Sequence, residues 1–234
     1  MPISKEKNLI FIHIPRNAGK FIEDRYSMSD YPNLEKNQGN RTILSNIARA
    51  FIKLDWKNQL FARNSARRLL DIGLVGQHLT LIEMQLYGLV PRDLSGYKML
   101  TSVRSPYTRA VSLYSHIIKP SKWDQNDFED FCKNWVNDFS SNFNHSKLSL
   151  KRLQTDFLID INGNINQNIN LIHFENLINE LEIFESKHSI HRINNNKKIK
   201  HNFKLKKPKL SKKAINYINE NYSKDFETLS YKKI

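Results

Sequence analysis

The sequence predicts an α/β fold: one domain over residues 1–234, with a mostly parallel central sheet flanked by helices. Three observations carry that expectation. Residues 9–14 (LIFIHI) and 97–103 (YKMLTSV) are short apolar runs of the kind found in strands buried on both faces. Each leads through a turn into a stretch with helical spacing, and strands that alternate with helices build a parallel sheet whose ligands sit beyond the carboxyl ends of the strands. The length, 234 residues with 39% apolar and 26% charged side chains, supports one sizeable core, in which roughly 70% of the unfolded surface is buried, and argues against a disordered or fibrous chain.

The elements follow in order. Pro15 ends the first strand, residues 15–20 (PRNAGK) form a turn, and Phe21, Ile22 and Tyr26 repeat on one face of a helix over 21–28. Residues 29–41 are polar and contain Pro32 and Gly39, a loop. From 42 to 70, Ile43, Ile47, Ala50, Phe51 and Leu54 recur with helical period and predict one broken helix or two. A short strand at 72–75 leads to a loop carrying His78; Thr80, an N-cap with Glu83 three residues on, then opens a helix over 81–89 closed by Gly88 and Pro91. The strand at 97–103 turns through Arg104, Ser105 and Pro106 into a helix that starts at Tyr107. Phe128, Phe131, Trp135 and Val136 mark an amphipathic helix over 126–139, and residues 157–172 predict a two-stranded hairpin around Asn162-Gly163. Helices are expected over 175–186 and 211–222, the second with Ala214, Ile215 and Ile218 on one face. Both strand-to-helix loops then share one edge of the sheet.

Composition narrows the function classes. Cys132 is the only cysteine, which excludes a disulfide framework and a Cys-rich zinc module and makes a cytoplasmic location the expectation. The opening residues lack a signal-peptide core and no window approaches a membrane span. Sequons at Asn40, Asn144 and Asn221 are chance products of an Asn-rich chain. The formal charge of +14, densest over 197–213, predicts an anionic partner without choosing among nucleic acid, an acidic membrane surface, a phosphorylated nucleotide and an anionic polymer.

Phosphate groups are held by backbone N–H groups at a helix N-terminus, where small residues let the chain approach. Residues 15–20 meet those needs without forming a Walker A loop, because Ile14 stands where its first Gly belongs and Phe21 where its hydroxyl belongs. The segment RSPYTRAVSLY supplies Arg104 at a strand end and Ser112 eight residues on, a cation and a hydroxyl suited to one phosphate.

Together the two segments resemble the nucleotide-binding signature of sulfotransferases that use 3′-phosphoadenosine 5′-phosphosulfate (PAPS), in particular the carbohydrate sulfotransferases related to the heparan 2-O enzymes. IFIHIPRNAGKFIE is similar to their 5′-phosphosulfate loop, usually IPKTAGTS, and TSVRSPYTRAVSLY to their 3′-phosphate motif. GQHLTLIEM, LIHFENL and YSKDFETLSY resemble further family segments in the family's order. The resemblance implies a P-loop-like nucleotide-binding fold of sulfotransferase type. It assigns Arg16, Asn17, Ala18, Gly19, Lys20, Arg104 and Ser112 to the nucleotide. Arg16 stands where the family usually has Lys, and Lys20 and Phe21 replace its usual hydroxyl pair.

The activity implied is direct in-line transfer of a sulfuryl group from PAPS to a hydroxyl of a carbohydrate-type acceptor, leaving 3′-phosphoadenosine 5′-phosphate (PAP) and needing no metal. Arg16 is the candidate to stabilise the leaving phosphate oxygen and His78 the candidate general base, since an imidazole with a pKa of about 6.5 accepts a proton at working pH. Glu23 and Asp24 are rival bases, and His13, inside an apolar run, reads as a hydrogen-bonded core residue. Arg109 is expected to pack against the sheet or pair with an acid, outside the site. His188 and His191 lack companions for a metal shell. The basic loop 197–209 is placed to reach the adenosine or an anionic acceptor. Competing readings are a nucleic-acid-binding basic protein, disfavoured because it leaves both loops unexplained, a kinase-like phosphotransferase, and a degenerate sulfotransferase that binds nucleotide without transfer. The acceptor and the oligomeric state have no readable code.

Overall fold

The computed structural model describes residues 3–4, 6–28, 78–86, 90–118, 124–134, 150, 152–190 and 208–234. The expected helix over 42–70, the strand at 72–75, the ends of two expected helices at 87–89 and 135–139, His191 and the basic loop up to residue 207 lie outside the described residues.

Strand β1 (Ile3–Ser4) pairs antiparallel with β2 (Leu9–Ile12), which runs parallel to β3 (Lys98–Val103), which in turn runs parallel to β4 (Ile169–His173). The order β1-β2-β3-β4 makes a mixed four-stranded sheet flanked by helices, an α/β arrangement. Ile12 pairs with Thr101 and Val103 with His173, so β2 and β3 release the chain at the same rim. The Thr101 hydroxyl reinforces that rim by donating to the Ile12 carbonyl at 2.7 Å.

Alternation along the strands divides the core. Ile10, Ile12, Met99 and Val103 face one side, where they meet Leu81, Met84, Phe157 and Leu229. Leu9, Phe11, Leu100 and Ile172 face the other, against Ile22, Tyr26, Leu177, Leu181 and Phe184. Each fully buried aliphatic or aromatic side chain contributes about 1.5–3 kcal/mol. Helix α1 (Gly19–Arg25) and the later α5 (Leu177–His188) cover the second face and are bolted together by the Arg25–Glu185 fork, with Nη2 to Oε2 at 2.8 Å. Helix α2 (Leu81–Leu86) covers the first, opened by the expected capping box: the Thr80 N–H donates to Glu83 Oε2 at 2.9 Å and the Glu83 N–H to Thr80 Oγ1 at 3.3 Å.

Helix α3 (Pro106–Ile117) starts with Pro at its first position and buries Tyr107, Ala110, Leu113 and Tyr114. With α4 (Gln125–Asn134), α6 (Lys212–Asn221) and α7 (Ser223–Thr228) it forms a third cluster around Phe128, Ile218, Tyr222 and Phe226. Ser211 caps α6, its side chain accepting the Ala214 N–H. Arg109 is buried in this helical layer and donates from Nη2 to the Arg152 carbonyl at 3.1 Å.

The hairpin expected over 157–172 is corrected. Residues 155–158 form a 3₁₀ turn, the Asn162-Gly163 turn closes only the single bridge Ile159–Ile165, and Ile169–His173 joins β3 instead. The physical reason is competition for backbone partners. The carboxylate of Asp225 captures the N–H groups of Gln154 and Thr155, both at 3.0 Å, which curls the chain, while β3 offers the later segment a five-residue parallel ladder. Gly163 has φ +80°, the left-handed turn conformation that glycine adopts without strain.

Candidate functional site

Three segments converge at the rim where β2 and β3 end. The first loop follows β2 and carries Arg16 and Ala18 in left-handed conformations, φ 70° and 62°, before α1 begins at Gly19. The second follows β3 and carries Arg104 and Ser105 into α3. The third is the turn at His78, also left-handed with φ 64°.

Direct contacts join the first two loops. Arg16 donates from Nε to Ser112 Oγ at 3.1 Å, and Arg104 donates from Nη1 to the Arg16 carbonyl at 3.2 Å. Thr108, Ser112 and His116 follow at four-residue steps along α3 and so share one face of it. Arg104 spends its Nε on Thr108 Oγ1 at 3.0 Å, and its guanidinium carbon lies 4.1 Å from the centroid of the Phe174 ring. Burial pushes its pKa down to about 10, against a smaller opposing pull from Glu175, so at neutral pH the group remains a full cation. Glu175 sits at the start of α3, accepting the Ser105 N–H at 3.0 Å and the Tyr231 hydroxyl at 2.8 Å.

Asn17 and Gln154 form the brace beneath. Asn17 is fully buried, and its Nδ2 donates to the Ser102 carbonyl at 2.8 Å and to Gln154 Oε1 at 2.7 Å. Its side chain is thereby turned into the sheet, leaving its backbone at the loop. Gln154, likewise buried, accepts the Arg104 N–H at 2.9 Å and donates to the Arg104 carbonyl at 2.8 Å. One amide thus fixes the spacing of two loops that are 88 residues apart at Arg16 and Arg104. The sequence reading misses Gln154, because a single Gln between Leu153 and Thr155 belongs to no motif.

Two imidazoles meet near the first loop, close enough to Arg16 for its charge to act on one of them. His13 joins its Nδ1 to Glu23 Oε1 at 2.8 Å, and its ring meets the His78 ring edge-on, 4.8 Å between centroids and 80° between planes. Burial, with smaller contributions from His13, His116 and Arg16, drives the pKa of His78 down to about 3, so its ring is neutral at pH 7 and one of its two nitrogens is an acceptor. The sequence reads His13 as a hydrogen-bonded core residue; the structure supplies the hydrogen bond and adds the contact with His78. Gly19 is buried under the His13 ring, and Lys20 is exposed at the loop mouth. Phe21 packs against the core, so no hydroxyl stands at position 20 or 21.

The cationic rim therefore comprises Arg16, Lys20 and Arg104, with the Ser112 hydroxyl between the two arginines' loops and a neutral imidazole beside them. No group of three His, Cys, Asp or Glu side chains suited to a metal ion occurs among the described residues. Among them, too, no helix is long and apolar enough to cross a membrane. No protein-family model, curated protein or solved structure matches the chain. Arg16, Arg104 and Ser112 together present hydrogen-bond donors of the kind that suit an anion.

Proposed function

We propose that the protein is a sulfotransferase that moves a sulfuryl group from PAPS to a hydroxyl of a carbohydrate-type acceptor. The observation that carries the reading is the meeting of Arg16, Arg104 and Ser112, held by the 3.1 Å and 3.2 Å contacts, at the shared end of two parallel strands. Two guanidinium groups and a hydroxyl answer a phosphate dianion with charge-assisted hydrogen bonds, each contributing about 1.5–3 kcal/mol.

In this reading Arg104 and Ser112 take the 3′-phosphate. The backbone of residues 16–20, with the charges of Arg16 and Lys20, takes the 5′-phosphosulfate. The acceptor oxygen bonds to sulfur as the bond from sulfur to the 5′-phosphate oxygen breaks. The electron pair leaves on that oxygen, next to the Arg16 charge, and the hydroxyl proton passes to His78. A ring that resists protonation takes a proton late, once the acceptor oxygen has become acidic by bonding to sulfur. No metal takes part in this scheme. The acceptor is drawn from soluble glycans, glycolipid precursors and small metabolites.

Calorimetric titration with PAP, with ADP and ATP as controls, tests the reading. PAP is expected to bind selectively, and Arg104→Ala to weaken it by about 10- to 150-fold, the equivalent of about 1.5–3 kcal/mol. PAP binding no tighter than ATP, or an Arg104→Ala protein that binds equally well, would overturn it. A second reading, a protein that holds the nucleotide without transferring sulfate, is favoured by one observation: Lys20 and Phe21 leave the loop without a hydroxyl. Selective PAP binding with no sulfation across a panel of soluble sugars would select it.

A further inference from the structure

We propose that Glu23 and His13 are positioning residues that orient His78, the one fixing the ring of the other. The inference rests on the sulfotransferase reading of His78, and the geometry that supports it comes from three separate segments. His13 is the first residue beyond β2, Glu23 lies in α1, and His78 lies on the turn before α2. The side chains of His13 and Glu23 are 12% and 6% exposed, so their 2.8 Å contact is largely shielded from water. A carboxylate only accepts, so the Nδ1 of His13 is the donor in this contact.

The His13 ring is held on every side the structure describes. Glu23 holds Nδ1. Gly19 lies so close beneath the ring face that a β-carbon there would stand 1.9 Å from Nε2 and 2.1 Å from Cδ2. The Phe11 ring lies 5.6 Å away, tilted by 31°. The remaining neighbour is His78, met edge-on at 4.8 Å. A ring so fixed is a rigid surface, and the residue resting on it has a left-handed backbone, which costs a non-glycine residue about 1–2 kcal/mol and persists only where the surroundings impose it. Among the described residues, the charged or titratable groups acting on His78 are His13, His116 and Arg16, so the Glu23–His13 pair is its nearest oriented support. A histidine that served the core alone would need the hydrogen bond to Glu23 but no contact with His78. This difference can be tested.

His13→Asn retains a nitrogen or oxygen at the Nδ1 position to meet Glu23 but removes the ring; Glu23→Gln retains the shape but no longer dictates which nitrogen of His13 carries the proton. The full chain labelled with ¹⁵N-histidine would be studied by side-chain correlation spectra, with His78→Gln assigning the His78 signals. Wild-type His13 is expected to carry its proton on Nδ1, and in both variants the His78 ring signals are expected to shift. With PAPS and the best acceptor from a panel of soluble mono- and oligosaccharides, kcat is expected to fall about 10- to 100-fold, with KM for PAPS and the calorimetric affinity for PAP within about twofold of wild type. His78 signals that superpose on wild type in both variants, or a His13→Asn protein with unchanged kcat, would overturn the proposal. Failure of the wild-type protein to bind PAP would count against the sulfotransferase reading, whereas the spectra judge the pairing without reference to turnover.

Discussion

Gly19 has a specific duty: it makes room for a ring. An alanine there would place its β-carbon 1.9 Å from His13 Nε2 and 2.1 Å from Cδ2, distances no packed side chain tolerates. Because His13 is tied to Glu23, it cannot turn aside without breaking that contact. Gly19→Ala is therefore expected to destabilise the protein by about 1–3 kcal/mol in urea unfolding, the usual cost of overpacking. His13→Ala in the same chain is expected to recover part of that loss, and a double-mutant cycle measures the coupling. Equal losses in the single and double variants would place the strain elsewhere. Residue identity alone announces little of this. The sequence PRNAGK shows that the turn is small and cationic, but it does not show that Asn17 faces inward to Ser102 and Gln154, or that Gly19 lies under a histidine.

The site also depends on elements that never touch it. Asp225, in the short helix α7, is fully buried and its two oxygens accept four hydrogen bonds: the N–H and Nε2 of Gln154 on Oδ2, the N–H and hydroxyl of Thr155 on Oδ1. Gln154 in turn holds both loops. Asp225→Asn presents an amide donor to one of those donor pairs, leaving at least one buried N–H without an acceptor. The expected loss is about 2–3 kcal/mol by urea unfolding, accompanied by weaker PAP binding although Asp225 is not part of the rim. A variant as stable as wild type would remove Asp225 from the account of how the loops are spaced. Elements with their own periodicity were legible in advance: β2, β3, the capped start of α2 and the Pro-led α3 follow from apolar runs and cap residues. The hairpin over 157–172 was not, because the local turn signal at Asn162-Gly163 is real while the strand after it is claimed by β3, nearly 70 residues upstream. Long-range competition of this kind leaves no trace in a local pattern.

For the molecule as a whole, the rim's proton chemistry is linked to folding. His78 has a folded pKa of about 3, driven down first by burial, whereas in the unfolded chain an imidazole titrates at about 6.5. The unfolded state therefore binds the extra proton between those two values, and stability must rise with pH across that window and fall as the pH drops through it. His188 and the more exposed His116 are lowered in the same direction, also mainly by burial, and add to the slope. Glu83, which burial raises but Arg152 and Thr80 hold net below its usual value, also loses stabilisation on acidification, while Asp156, raised by burial, works in the opposite direction, so it is the comparison with His78→Gln that isolates this histidine. Urea midpoints are thus expected to decline steadily from pH 7 to pH 5 in the wild-type chain and more shallowly in His78→Gln, which cannot take up the proton on unfolding. Parallel slopes in the two proteins would mean that His78 is solvated like a free imidazole and that burial does not set its protonation. The same burial that keeps His78 neutral well below pH 7 makes the fold sensitive to acid, so the two properties should appear or disappear together.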